Sequence, residues 1–171
     1  MQNLPLLAAR GINVVLGTTG WQAHELEMRR IMAGAGTGVV VASNFSLGVN
    51  LFQSLAEQAA RLFAGHAEYG AWIHEIHHAA KKDAPSGTAL TLKLAMERSG
   101  YGRPIDVASN RAGSVPGTHT VGFDGPFETI TLTHTNRDPA AFAQGALEAA
   151  RWIQGKRGWF TIRDVLGLNS R

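Results

Sequence analysis

The chain has 171 residues, enough for one well-buried core or for a complete domain with part of a second. It has no cysteine, which excludes disulfides, thiol nucleophiles and thiolate metal sites. Its hydrophobic share of 44% fits a globular α/β protein, and its net charge of +3 is scattered rather than gathered into the basic stripe a nucleic-acid face requires.

No apolar run approaches the ~20 residues that cross a bilayer. The opening M-Q-N-L-P-L-L-A-A-R has neither the basic leader nor the apolar stretch of a secretory signal, so a cytoplasmic protein with no membrane partner is expected. Leu4 to Arg10 reads as a short helix. Ile12 to Leu16 is a compact β-branched run ending in Gly17-Thr18-Thr19-Gly20, the pattern of a parallel strand buried on both faces with a turn at its carboxyl end. Trp21 to Met32 has helical periodicity, and Val39 to Ala42 is a second buried strand closed by Ser43-Asn44-Phe45-Ser46. Strand, helix, strand implies a right-handed crossover. Two strands and one full helix cannot cover both faces of a sheet, and no glycine-rich dinucleotide fingerprint precedes them, so the expectation is either that the first half of a nucleotide-binding domain is missing from this chain or that another chain covers the exposed side.

Leu47 to Gly65 is a long helix with Val49, Phe52, Leu55, Ala56, Ala59, Leu62 and Phe63 on its apolar face. Tyr69 to Ile76 turns to strand character. A helix then begins near Gly87-Thr88, with Leu90, Leu94 and Ala95 at helical spacing, and ends at Ser99-Gly100. Ile105 to Ala108, Thr118 to Phe123 and Phe127 to His134 read as strands, the last alternating as a sheet with one buried and one wetter face does. Pro139 opens a final helix with Phe142, Ala146, Leu147, Ala150 and Ile153 inward, followed by an aromatic tail from Trp159 to Leu168.

The stretch richest in chemistry is E-I-H-H-A-A-K-K-D-A-P-S-G-T-A-L, Glu75 to Leu90. A helix start presents unpaired N–H groups that bind carboxylate or phosphate without a side-chain charge. Lys81 adds a full positive charge, and His77 and His78 add imidazoles that titrate near neutrality. Together they predict proton transfer on a small acidic substrate. His74-Glu75-Ile76-His77-His78 also matches the H-E-x-x-H zinc motif, with Glu97 a conceivable third ligand, but that chemistry needs His74 and His78 on one helix face. On a strand they stand roughly 13 Å apart. For His119 and His134 the expected role is structural, for Asn44 to Ser46 a helix cap, and for Gly17 to Thr19 a tight turn.

The run E-I-H-H-A-A-K-K-D-A-P-S-G-T-A strongly resembles the signature of the 4-hydroxy-tetrahydrodipicolinate (dihydrodipicolinate) reductase family. G-T-T-G at Gly17 to Gly20, A-S-N-F-S-L-G-V-N at Ala42 to Asn50, R-A-G-S-V-P-G-T-H-T at Arg111 to Thr120 and R-D-V-L-G-L at Arg163 to Leu168 agree in order and spacing. The resemblance implies hydride transfer from NADPH or NADH to a cyclic dicarboxylate, with loss of its hydroxyl as water. Hydride addition to a C=C–C=N system leaves negative charge for a nearby acid to quench. By position, His77 and Lys81 would handle protons, His78, Gly87 and Thr88 would bind substrate, and Gly17, Thr18, Thr19, Ala42, Ser43, Asn44 and Phe45 would touch the nicotinamide. The implied fold is α/β, turning to α+β in the second half. Residues 1–46 form a Rossmann-like βαβ remnant, 47–155 a mixed-sheet substrate-binding and oligomerisation domain, and 156–171 a tail packing back on the remnant. The implied assembly is a homotetramer. The family's G-x-x-G-x-x-G loop is not found here, so this chain alone is expected to bind NAD(P)H weakly or not at all, and a non-catalytic relative that keeps only the dicarboxylate site is the alternative.

Overall fold

The computed structural model describes residues 3–169; Met1, Gln2, Ser170 and Arg171, the outer ends of the first and last segments proposed above, lie outside the described residues. Among the described residues fourteen elements follow in chain order: α1 (Asn3–Ala9), β1 (Val14–Leu16), a 3₁₀ turn (Gln22–His24), α2 (Glu25–Gly34), β2 (Gly38–Val41), α3 (Leu47–Phe63), β3 (Gly70–His77), α4 (Gly87–Arg98), β4 (Ile105–Arg111), β5 (Thr118–Asp124), β6 (Thr129–Thr135), α5 (Ala140–Trp152), β7 (Gly158–Thr161) and α6 (Ile162–Val165). The chain divides into two compact units, one made of Met1–Asn50 with Pro139–Arg171, the other of Leu51–Asp138.

In the first unit β1, β2 and β7 form a parallel sheet in the order β1-β2-β7. The register sets Leu16 beside Val41 and Val40 beside Phe160, so the β-branched run of β2 is flanked on both edges. Val39 and Val40 are fully buried on opposite faces. Val39 packs with Leu4, Ala8, Val14, Met28 and Met32, and Val40 with Ala42, Phe45, Ala149, Ile153 and Ile162. Burying each such side chain stabilises by about 1.5–3 kcal/mol. The aromatic tail thus supplies the third strand through Gly158–Thr161. The side chain of Asn13 ties the sheet to the end of α5, donating to the Ile153 carbonyl at 3.0 Å and accepting from the Gly38 amide at 2.8 Å.

The second unit holds a mixed four-stranded sheet ordered β4-β3-β5-β6, with β3 and β4 parallel and the other pairs antiparallel. One face carries Ala71, Ile73, Val121 and Phe123, which pack with Phe52, Ala56 and Ala60 of α3 and Ala89, Leu92 and Met96 of α4. Phe63 stacks on Phe123 with ring centroids 4.5 Å apart. Arg103 closes the end of α3, donating to the carbonyls of Phe63, Ala64 and His66.

Several inward positions differ from expectation. On α3, Leu55 and Leu62 are exposed, Leu62 at 74%, because the smaller Ala56 and Ala60 allow the closer approach to the sheet. On α4, Leu90 and Leu94 face solvent while Ala89, Leu92, Ala95 and Met96 are buried. On α5, Phe142, Leu147 and Ala150 are exposed, and Gly145, Ala149 and Ile153 are inside. An alanine face lets helix and sheet sit closer than a leucine face would. Phe127 precedes β6 and is 97% exposed.

Candidate active site

Strand pairing explains which side chains meet. Glu75 of β3 lies opposite Ser109 on β4 and His119 on β5, and His119 lies opposite His134 on β6. His77 lies opposite Arg111. Residues two apart share a face of a strand, so Glu75 and His77 continue the buried row of Ala71 and Ile73. A carboxylate in that row must be hydrogen-bonded or become very costly.

Glu75 is 0% exposed. Its Oε1 accepts from Arg111 Nη2 at 2.7 Å and from the Ser86 amide at 2.9 Å. Its Oε2 lies 3.3 Å from both His77 Nε2 and His119 Nε2, yet is buried without a hydrogen-bond partner. Burial alone would raise this carboxyl's pKa, but hydrogen bonds from Ser86 and Arg111 outweigh it and hold it at about 2. The two Nε2 atoms are 3.4 Å apart, and Ser86 Oγ is 3.0 Å from that of His119. Burial, with His77 alongside, pushes His119 down to about 4; burial likewise lowers His77, partly offset by Glu75. Both rings are therefore neutral near pH 7.

Ser86 links this cluster to α4. As the N-cap of that helix its Oγ accepts from the Ala89 amide at 3.2 Å. Gly87 and Thr88 follow in the first turn, so the expected helix start holds. Lys81, half-buried, donates to both carboxylate oxygens of Asp83 at 2.7 and 3.0 Å. Lys81 and the Gly87 amide hold the Asp83 carboxyl below its usual range, Lys81 contributing most. His78 is exposed in the turn that Lys81 closes onto its carbonyl.

His74 points to the other side of β3, with Nε2 2.9 Å from Asn110 Oδ1. Glu75 and His74 thus face opposite ways, as the strand reading of H-E-x-x-H requires. Among the described residues, Glu75, His77 and His119 bring three donor atoms within 4.8 Å, close enough to hold a cation. Arg111 already supplies the positive charge at that carboxylate, and we read the cluster as a hydrogen-bonded network. Sequence reasoning placed His77, Lys81, Gly87 and Thr88 in one stretch but missed Arg111, Ser86 and His119 as their companions. The signal was a glutamate at the same strand parity as Ala71 and Ile73.

The other predicted residues lie in the first unit. Gly17, Thr18 and Thr19 are exposed at the carboxyl end of β1, beside Ala42, whose amide donates to the Leu16 carbonyl at 3.1 Å. Ser43 is exposed and Phe45 buried, and a Cβ on Gly17 would stand 3.4 Å from the Phe45 ring. Asn44 Oδ1 accepts from the Ser46 amide, and Ser46 Oγ caps Val49, fixing the loop to α3.

A family model described as "Dihydrodipicolinate reductase, C-terminus" matches residues 48–166. A 4-hydroxy-tetrahydrodipicolinate reductase of Methanoregula boonei is 41% identical over 98% of this chain and 71% of its own length. One of Stenotrophomonas maltophilia is 47% identical over 95% of this chain and 66% of its own. The chain belongs to the dihydrodipicolinate reductase family. A dipicolinate-bound dihydrodipicolinate reductase from Paenisporosarcina sp. TG-14 shares the fold at 22% identity, with a TM-score of 0.83 over 94% of this chain and 66% of that one. The chain thus spans 66–71% of the length of these reductases, and its α/β fold with a parallel and a mixed sheet is the one it shares with that solved structure. No helix among the described residues is long and apolar enough to cross a membrane.

Proposed function

We propose that this chain carries the substrate site of an NAD(P)H-dependent reductase that converts 4-hydroxy-tetrahydrodipicolinate to tetrahydrodipicolinate in lysine and diaminopimelate biosynthesis. The observation that carries it is the seat for a carboxylate formed by Lys81 Nζ and the Gly87 end of α4, which the chain's own Asp83 carboxylate now occupies. A substrate carboxylate makes the same charge-assisted bonds when it takes that seat. Gly87 and Thr88 supply main-chain N–H groups, and His78, exposed beside Lys81, adds a side-chain donor. His77 and Lys81 Nζ deliver the protons the reduction requires.

The nicotinamide cofactor supplies the hydride when bound. The open main chain at the adjacent carboxyl ends of β1 and β2 suits such a ring, since ligands of parallel sheets bind at that edge. There Gly17, Thr18 and Thr19 would hold it with Ala42, Ser43, Asn44 and the Phe45 backbone. The 171 residues contain no G-x-x-G-x-x-G loop for a pyrophosphate, so weak NADPH binding is expected. The working form is a cytoplasmic homotetramer.

Calorimetric titration of the purified chain with pyridine-2,6-dicarboxylate tests the site. Saturable binding that Lys81→Ala weakens at least about tenfold supports the reading; no binding sinks it. Fluorescence titration with NADPH giving micromolar affinity would overturn the expected weakness. Turnover with and without a supplied nucleotide-binding half separates the enzyme from a relative that only binds the dicarboxylate.

A further inference from the structure

This inference deepens the proposed function and rests on its reading of Lys81 and the start of α4 as the seat for a substrate carboxylate. We propose that Arg111, anchored on Glu75, is the positioning residue of that seat, holding the loop from His78 to Pro85 so that Lys81 and the Gly87 amide converge on one carboxylate.

Core packing does not hold this loop. None of residues 78–85 is buried, and ordering an exposed segment costs backbone entropy at every residue. Its placement falls to hydrogen bonds. At the entry, the parallel pairing of β3 with β4 runs on past both strands: the Ala112 amide donates to the His77 carbonyl and the Ala79 amide to the Gly113 carbonyl, each at 3.0 Å. At the exit, one carboxylate oxygen governs two backbone groups. Glu75 Oε1 accepts from the Ser86 amide at 2.9 Å and from Arg111 Nη2 at 2.7 Å, and the same Nη2 donates to the Asp83 carbonyl at 2.5 Å. Arg111, Ala112 and Gly113 are consecutive, so the end of β4 grips the loop at both ends.

The two residues tied at the exit carry the seat. Lys81 Nζ docks on the Asp83 side chain, and Ser86 is the N-cap from which Gly87 and Thr88 follow. The tether therefore sets how far the ammonium stands from the helix start. A guanidinium suits this task because it is planar, stays charged and presents several donors in fixed directions, whereas a lysine ammonium is a point charge on a flexible stem. Stability alone gives little reason for such a pair, since well-packed apolar residues of similar volume often serve a fold as well as a buried ion pair does.

The test is calorimetric titration of the full chain with pyridine-2,6-dicarboxylate, arranged as a cycle of wild type, Lys81→Ala, Arg111→Lys and the double variant. Calorimetry separates the number of competent sites from their affinity, so a variant that is merely less stable shows fewer sites at unchanged affinity. Arg111→Lys is expected to weaken binding at least about tenfold, and in that background Lys81→Ala should cost about threefold or less, against tenfold or more in the wild type. Unchanged affinity in Arg111→Lys overturns the proposal, as do two losses that multiply in full in the double variant. Where Arg111→Lys fails to fold, amide hydrogen exchange of the wild type decides: the Ser86 amide should exchange at least about tenfold more slowly than that of exposed Lys82, and equal rates overturn the tether. If the wild type binds no dicarboxylate, the substrate reading fails and this proposal with it. Binding that Lys81→Ala weakens and Arg111→Lys leaves untouched sinks this proposal only.

Discussion

The two units rest on different physics. The unit of β1, β2 and β7 is held by apolar contact on both faces of a short parallel sheet, with Gly17 and Ser43 exposed at its loops. The unit of β3 to β6 has an apolar core of its own, but where that core reaches Glu75 it turns into a network of charged and polar groups. The first should respond to volume and the second to charge.

The largest effect should come from Arg111→Met, which leaves Glu75 as a buried charge without its ion-pair partner. A loss of about 3–5 kcal/mol is expected, with hydrogen-exchange protection falling in β3, β4 and β5 and surviving in β1, β2 and β7. Loss of protection in both sheets alike would erase the contrast. Next is Gly145→Ala, whose new methyl would lie 1.7 Å from the Phe45 carbonyl oxygen. The helix must move away, at about 1–3 kcal/mol, and the exchange pattern should reverse, with β1, β2 and β7 losing protection and β3 to β6 keeping it.

Acid should act on the charged unit. His119 falls from an ordinary 6.5 to about 4 in the fold, and Glu75 from 4.5 to about 2. In both windows the unfolded chain binds more protons, so stability drops as pH falls from about 6.5 toward 2, at most about 1.4 kcal/mol per pH unit for each group. Denaturant unfolding of His119→Asn between pH 6.5 and 4 should show a shallower slope than wild type; equal slopes would count against the network. The smallest effect belongs to Asp83→Asn. Removing the resident carboxylate from its exposed pair with Lys81 should tighten pyridine-2,6-dicarboxylate binding up to roughly fivefold by calorimetry, and weaker binding would contradict the seat.

Much of this was legible in local sequence. The start of α4 follows from Ser86-Gly87-Thr88, its end from Ser99-Gly100, and the strand character of β3 disposed of the H-E-x-x-H helix. The hidden parts are of two kinds. Which stripe of a helix faces inward depends on how near the partner comes, so Ala60 and Ala149 are missed while Leu55, Leu62 and Leu147 are placed inward beside the correctly read Ala56. The partners of Glu75 depend on strand register: Arg111 is 36 positions away along the chain, and His119 reaches His77 across 42. Periodicity within one segment carries no information about a neighbour on another strand. His119 thus read as an isolated histidine and Arg111 only as part of a family motif.

The third strand of the parallel sheet comes from Gly158–Thr161, while its central strand comes from Gly38–Val41. On a translating ribosome, everything from Leu51 to Asp138 emerges in the interval between them. The later-made middle of the chain can therefore complete its fold first, while β2, synthesised earlier, waits with one edge unpaired and open to a wrong partner.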